Sequence, residues 1–178
     1  MCTHSNYGAH DSGGGDTAEC HWVNRMVKPG SYSGDGDFND DYAVLRLSTK
    51  PTKIGWMAIS SASNSTIKNA DSYKSAYPSY GPGCAANSPS PQVIGLGARR
   101  QYWMKGDLFD TTSSRIKTRL DAGPGESGGA YYYYPSGCCG SHYITGVHAG
   151  FVDVGVGNDY HGGPKGSAIR DWVATNTP

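Results

Sequence analysis

Neither sign of charge is in surplus: 15 Lys and Arg balance 15 Asp and Glu over 178 residues, for a formal net charge of zero. That balance argues against nucleic acid and anionic membrane as partners, since both require a basic face. No apolar stretch approaches the length of a membrane span. The first residues, Met1-Cys2-Thr3-His4-Ser5-Asn6, are polar and contain no apolar signal core. The strong helix formers Leu, Glu and Lys are thin, and only one segment shows helical spacing.

What is abundant points elsewhere. The 26 glycines and 13 tyrosines, with frequent serine, favour a strand-rich fold with many turns. Five cysteines and few lysines look extracellular, and the lack of a leader then suggests a chain whose upstream part is missing. One free thiol is the other reading of the odd cysteine. Residues 5–17 and 29–40 read as exposed loops, as do 61–91, which Pro78, Pro82, Pro89 and Pro91 punctuate.

Tyr42–Leu47 and Ile54–Ser60 are short apolar runs suited to buried strands. Further strands are expected at 92–97, 100–105, 115–120, 130–134 and 142–151. The tyrosine run 131–134 should alternate between core and surface. Ile169, Trp172 and Val173 share one face of a helix over 168–176, which Ser167 could cap. The pattern indicates an all-β antiparallel barrel or sandwich with a short C-terminal helix.

Three segments carry chemistry. The first is Gly125-Glu126-Ser127-Gly128-Gly129, preceded by Asp121-Ala122-Gly123-Pro124. A nucleophilic serine needs a tight turn that exposes its hydroxyl, with backbone N–H groups converging beside it, and glycines permit both. Gly125 and Ser127 are the expected oxyanion donors. The same letters fit the nucleophile elbow of α/β-hydrolases, but that needs a helix after the serine, and Gly-Gly-Ala-Tyr-Tyr-Tyr-Tyr reads as a strand. The second segment is Asp40-Asp41-Tyr42-Ala43-Val44-Leu45-Arg46-Leu47, with an acid at the mouth of a strand expected in the core. The third is Thr145-Gly146-Val147-His148-Ala149-Gly150. Taken singly, each has a bland reading: a turn, a solvated loop acid, a packed core histidine.

Together the three segments resemble the chymotrypsin-like serine proteases, and most closely the glutamyl endopeptidase branch. Asp41, Ser127, His148 and the terminal helix follow the family order, with Asp41 and Ser127 separated by 86 positions. The resemblance implies a double antiparallel β-barrel whose first barrel is incomplete. Residues 1–67 would be that partial barrel and 68–178 a complete second one. It implies a secreted, monomeric endopeptidase acting on a polypeptide substrate without a cofactor. Ser127 would be the nucleophile and Asp41 the orienting acid. His148, Ala149 and Gly150 would border the pocket for the side chain before the scissile bond, with His148 facing an acidic one.

The family's histidine motif, T-A-A/G-H-C, is absent. Met1 falls 40 positions before Asp41, where that histidine belongs. The expectation is a shortened chain, inactive as it stands, or a non-catalytic relative that binds peptide. An unrelated aromatic-rich sandwich that binds sugars is a further alternative. His4, His10 and His21 are weak substitutes: His4 and His10 sit in polar loops with no strand before them, and His21 is too near Asp41. By the resemblance, the partner of Cys2 lies upstream. Cys20, Cys84, Cys138 and Cys139 then allow three connectivities, and a bond between the adjacent pair would be strained. Neither cysteines nor histidines show ligand spacing, so no metal site is expected.

Overall fold

Strands dominate the computed structural model, which describes residues 2–4, 18–34, 37–52, 57–76, 102–120, 122, 125–135, 141–152 and 160–176. The expected strand at 92–97, the loop at 5–17, His10, Asp121, Gly123, Pro124, Cys84, Cys138 and Cys139 lie outside the described residues.

Two antiparallel ribbons come first. β1 (Cys2–His4) pairs with β2 (Ala18–Cys20), with Cys2 opposite Cys20. β3 (Val23–Val27) pairs with β4 (Val44–Leu47). His4 therefore closes a strand, rather than lying in a strandless loop. The strand after Asp41 is not the core strand expected of its composition: Val44 and Leu47 are half-buried and Leu45 is exposed. A two-stranded ribbon cannot bury its own faces.

The remainder forms two larger sheets. β5 (Ala58–Ile59), β6 (Ser72–Ala76), β7 (Tyr102–Gly106), β10 (Ala130–Tyr133) and β11 (Tyr143–Val147) join in the order β5-β11-β10-β6-β7, antiparallel except for β5 against β11. β8 (Leu108–Thr111), β9 (Arg115–Thr118), β12 (Gly150–Val152) and β13 (Tyr160–Pro164) join in the order β12-β13-β9-β8. A bridge from Gly146 to Lys165 links the two. Leu108, Ile116, Leu120 and Tyr131 meet at the centre with Ile67, and Met104 and Ala62 pack against them. β9 alternates as its sequence requires, with Ile116 and Thr118 inward and the basic residues outward.

The segment read as loop from 61 to 91 holds both a helix and a strand. In α1 (Asn64–Asn69), the hydroxyl of Ser63 accepts from the N–H of Thr66 at 3.2 Å, and Ile67 turns into the core. Six residues are too few to print a helical period. In β6 the inward residues are Ser72, Lys74 and Ala76 while Tyr73 faces outward, which inverts the usual apolar-in pattern and hid the strand. The tyrosine run also departs from alternation: Tyr131, Tyr132 and Tyr133 are all buried. β10 has strands on both edges, and Tyr73, Tyr134 and His142 cover its second face around Tyr132. The terminal helix α2 (Gly166–Asn176) starts before Ser167, which therefore lies in its first turn rather than capping it. Its buried face carries Ile169, flanked by half-buried Trp172 and Val173.

Candidate active site

Ser127 sits at the second position of a tight turn closed by the Gly129 N–H donating to the Glu126 carbonyl at 2.9 Å. Gly128 holds the third position at φ +87, the left-handed value that such a turn demands and that only glycine adopts without strain. Gly125, on the other side, has φ +88. Gly129 is required for another reason: an added Cβ would stand 2.8 Å from the Ala76 Cβ and 2.9 Å from the Ser75 carbonyl. The turn thus presses onto the end of β6 and leaves the Ser127 side chain exposed to solvent.

Backbone hydrogen bonds tie this turn to His148. The Gly128 N–H donates to the His148 carbonyl, and the His148 N–H to the Gly129 carbonyl, both at 2.8 Å. The His148 ring is buried, its Nδ1 2.8 Å from the Tyr131 hydroxyl, with the His161 ring 5.8 Å away between centroids. Burial first, then the charge of Lys74, then His161 push the His148 pKa down from 6.5 to about 3. The imidazole is therefore neutral in the free protein. Burial, aided by the charge of Glu126, pushes the Tyr131 hydroxyl well above its ordinary range, so it keeps its proton. The Tyr131 hydroxyl and His148 Nδ1 share one hydrogen bond, whose direction follows the tautomer of the ring. The Ala149 N–H is already engaged with the Gly162 carbonyl at 2.9 Å, and Gly150 opens β12 opposite Gly162.

Beneath the turn, Glu126 points inward. Its carboxylate is 3% exposed and forms an ion pair with the ammonium of Lys74, itself 1% exposed, from β6. A cleft of about 450 Å³ opens beside the turn, with Ser127, Gly128 and Glu126 on one side and Met57, Ala76 and Tyr132 on the other. His148 is not among its described lining residues.

Asp41 is half-buried in a segment anchored to the C-terminal half at three points. Phe38 lies directly against Gly150, where an added Cβ would meet its ring at 2.6 Å. The Ser114 hydroxyl donates to the Asn39 side-chain oxygen at 3.0 Å, and Tyr42 meets Trp172 edge-on at 5.5 Å between ring centroids. His21 Nδ1 lies 2.7 Å from the Thr49 hydroxyl, and His148 Nδ1 lies 2.8 Å from that of Tyr131. The structure joins Ser127, Gly125 and His148 in one unit, and adds Lys74, Tyr131 and His161, which the sequence did not single out.

Comparison with solved structures finds a match titled as a Glu endopeptidase in complex with MPD, at a TM-score of 0.61 and 20% sequence identity. The fold is chymotrypsin-like. The match covers 89% of this chain and 64% of that one, so the chain spans less than two thirds of the length of the structure it resembles. No protein-family model matches, and no curated protein does. At that identity the likeness carries the chymotrypsin-like architecture and nothing finer. It bears out the all-β double-barrel expectation as a fold.

Proposed function

We propose that this chain carries the nucleophile and orienting acid of a secreted-type serine endopeptidase and is inactive as it stands for want of the catalytic histidine motif: Ser127 would attack the peptide carbonyl, the N–H groups of Gly125 and Ser127 would receive the oxyanion, and Asp41 would orient a general-base imidazole. The observation that carries this reading is the nucleophile turn itself. An exposed serine is held between two left-handed glycines, on a chymotrypsin-like frame. Residues 1–67 are proposed as the partial first barrel and 68–178 as the second. The mechanism is acyl transfer. The serine oxygen bonds to the carbonyl carbon as its proton passes to the imidazole, the amine leaves with that proton, and water then releases the acid.

The finer proposal is preference for an acidic residue before the scissile bond. A neutral His148 would offer one ring N–H as a donor, and an incoming carboxylate would favour the imidazolium. Ala149 and Gly150 would guide the substrate backbone.

A second reading, of a peptide-binding relative without catalysis, is favoured by His148, the histidine tied to the nucleophile turn, whose Nδ1 bonds Tyr131 in the interior. A fluorophosphonate probe separates the two when applied to a form that carries the catalytic histidine. Labelling of Ser127, lost in Ser127→Ala, supports the enzyme. Saturable binding of a Glu-containing peptide without labelling supports the binder. In an active form, a Lys, Arg or Phe preference that survives His148→Ala would remove the glutamyl assignment.

A further inference from the structure

A lysine and a glutamate, both almost wholly removed from water, are an expensive thing to place in a protein interior. Lys74 and Glu126 are 1% and 3% exposed and pair across 52 positions of sequence. Their location decides what the pair does. Glu126 is the residue between Gly125 and Ser127, and its own carbonyl closes the turn by accepting from Gly129. Lys74 lies on the inward face of β6, and β6 runs directly beneath the turn: the Ser75 carbonyl and Ala76 Cβ crowd the position where Gly129 would carry a side chain.

We propose that Lys74 and Glu126 are positioning residues for the nucleophile turn, a role that rests on reading Ser127 as the nucleophile. Three features argue for this role over simple packing. The turn contains two residues at left-handed φ, so its backbone has little intrinsic preference for the observed path. Glu126 is the one side chain between Gly125 and Gly129 that points inward, and Ser127 points to solvent. Paired with the buried Lys74 ammonium, the Glu126 side chain is held in one place and so constrains the backbone on both sides of it. The peptide N–H groups of Gly125 and Ser127, which flank Glu126, are thereby held against the pull of solvent. Both charges belong to the chain itself, so the turn takes its working shape when β6 and β10 pair.

The same pair reaches the neighbouring pocket. Lys74 contributes to the depressed pKa of His148, and Glu126 to the raised one of Tyr131. The four side chains form one buried electrostatic unit linking the turn to the His148 strand.

The test uses the 178-residue chain, with amide hydrogen exchange read by NMR. The Gly128 and Gly129 amides report the turn and the Ile116 amide reports the core. Lys74→Met, Glu126→Gln and the double variant are compared with the parent. The double variant leaves no unpaired buried charge and so preserves the fold where a single change unfolds it. The expected result is that Gly128 and Gly129 exchange about tenfold faster relative to Ile116 in the double variant. An unchanged ratio would overturn the proposal. The parent protein supplies an independent measure: a solvent-protected Lys74 ammonium signal coupled to the Glu126 carboxylate is expected, and its absence overturns the pairing. Fluorophosphonate labelling keeps the two readings apart. If the parent labels, the double variant should label on the order of 100-fold more slowly, as for loss of an oxyanion donor. If a form that carries a catalytic histidine does not label, the nucleophile reading falls, while the exchange result on the 178-residue chain still decides whether the pair shapes the turn.

Discussion

Trp22, Val23, Met26 and Leu45 are between 39% and 84% exposed, whereas Ile67, Leu108, Ile116 and Tyr131 are at most 1% exposed. The two groups are of similar hydrophobicity, and the difference lies in what surrounds them. Residues 2–4 and 18–47 supply two ribbons of two strands each, and residues 57–176 supply sheets of five and four strands that close over a common centre. The ribbon of β3 and β4 leaves Val23, Met26 and Leu45 exposed, while the paired sheets bury a central cluster and leave Phe109 and Phe151 exposed on their strands. Stability is therefore concentrated in the C-terminal half, and the proposed chemistry draws on both. The Asp41 segment is lent to the body through Phe38, Asn39 and Tyr42.

The sharpest way to break this contrast is a pair of truncations. Ile116→Ala should cost roughly 2–5 kcal/mol of global stability, as expected for a fully buried aliphatic side chain, and Leu45→Ala less than about 0.5 kcal/mol. Urea denaturation measures both, and similar costs at the two sites would show that the ribbons carry a core of their own.

A pH titration of stability separates the same halves through His148. Its pKa is lowered on folding, so the unfolded chain binds a proton first as pH falls. The contribution is intact above about 6.5 and is lost progressively down to about 3, for a total of a few kcal/mol. Comparing the parent with His148→Asn between pH 4 and 7 should show a shallower dependence in the variant. Parallel curves would place the ring in water.

The smallest effect concerns the turn alone. Gly128→Ala puts a Cβ at φ +87 and should cost about 1–2 kcal/mol. Nothing lies within 4 Å of the added atom, so backbone conformation is the sole cause. A neutral result in thermal unfolding would mean that the turn is free to change shape.

The legible parts were those in which local chemistry and global role agree. The Gly-rich turn around Ser127 must be glycine whatever surrounds it, and β9 displays its one buried face in plain alternation. The terminal helix shows Ile169, Trp172 and Val173 at helical spacing, although its start was misplaced by reading Ser167 as a cap. The parts that stayed hidden are those where tertiary surroundings reverse the local signal. Lys74 points into the protein because Glu126 is there to receive it, 52 positions later, and no property of Ser-Tyr-Lys-Ser-Ala announces that. The three buried tyrosines of β10 are the counterpart, since alternation fails when both faces of a strand are covered. Tyr131 and His161 could have been suspected only once His148 was known to be buried, because their meeting is a product of sheet order. Asp41 was legible as a motif, but the exposure of the strand after it was not, because composition reports hydrophobicity and says nothing about whether a second layer exists to cover it.

The parallel pairing of β5 with β11 has a consequence for the chain in time. The Ser60 N–H donates to the Ile144 carbonyl, and the Lys165 ammonium reaches Asn64 across 101 positions. Neither contact exists until nearly the whole sequence has left the ribosome. At roughly 5–20 residues per second, the stretch from β5 to β11 takes several seconds to synthesise. Throughout that interval Trp22, Met26 and Leu45 have already emerged with no partner sheet yet made. Vectorial synthesis thus delivers the ribbon of β3 and β4 before the larger sheets that anchor its neighbouring segment.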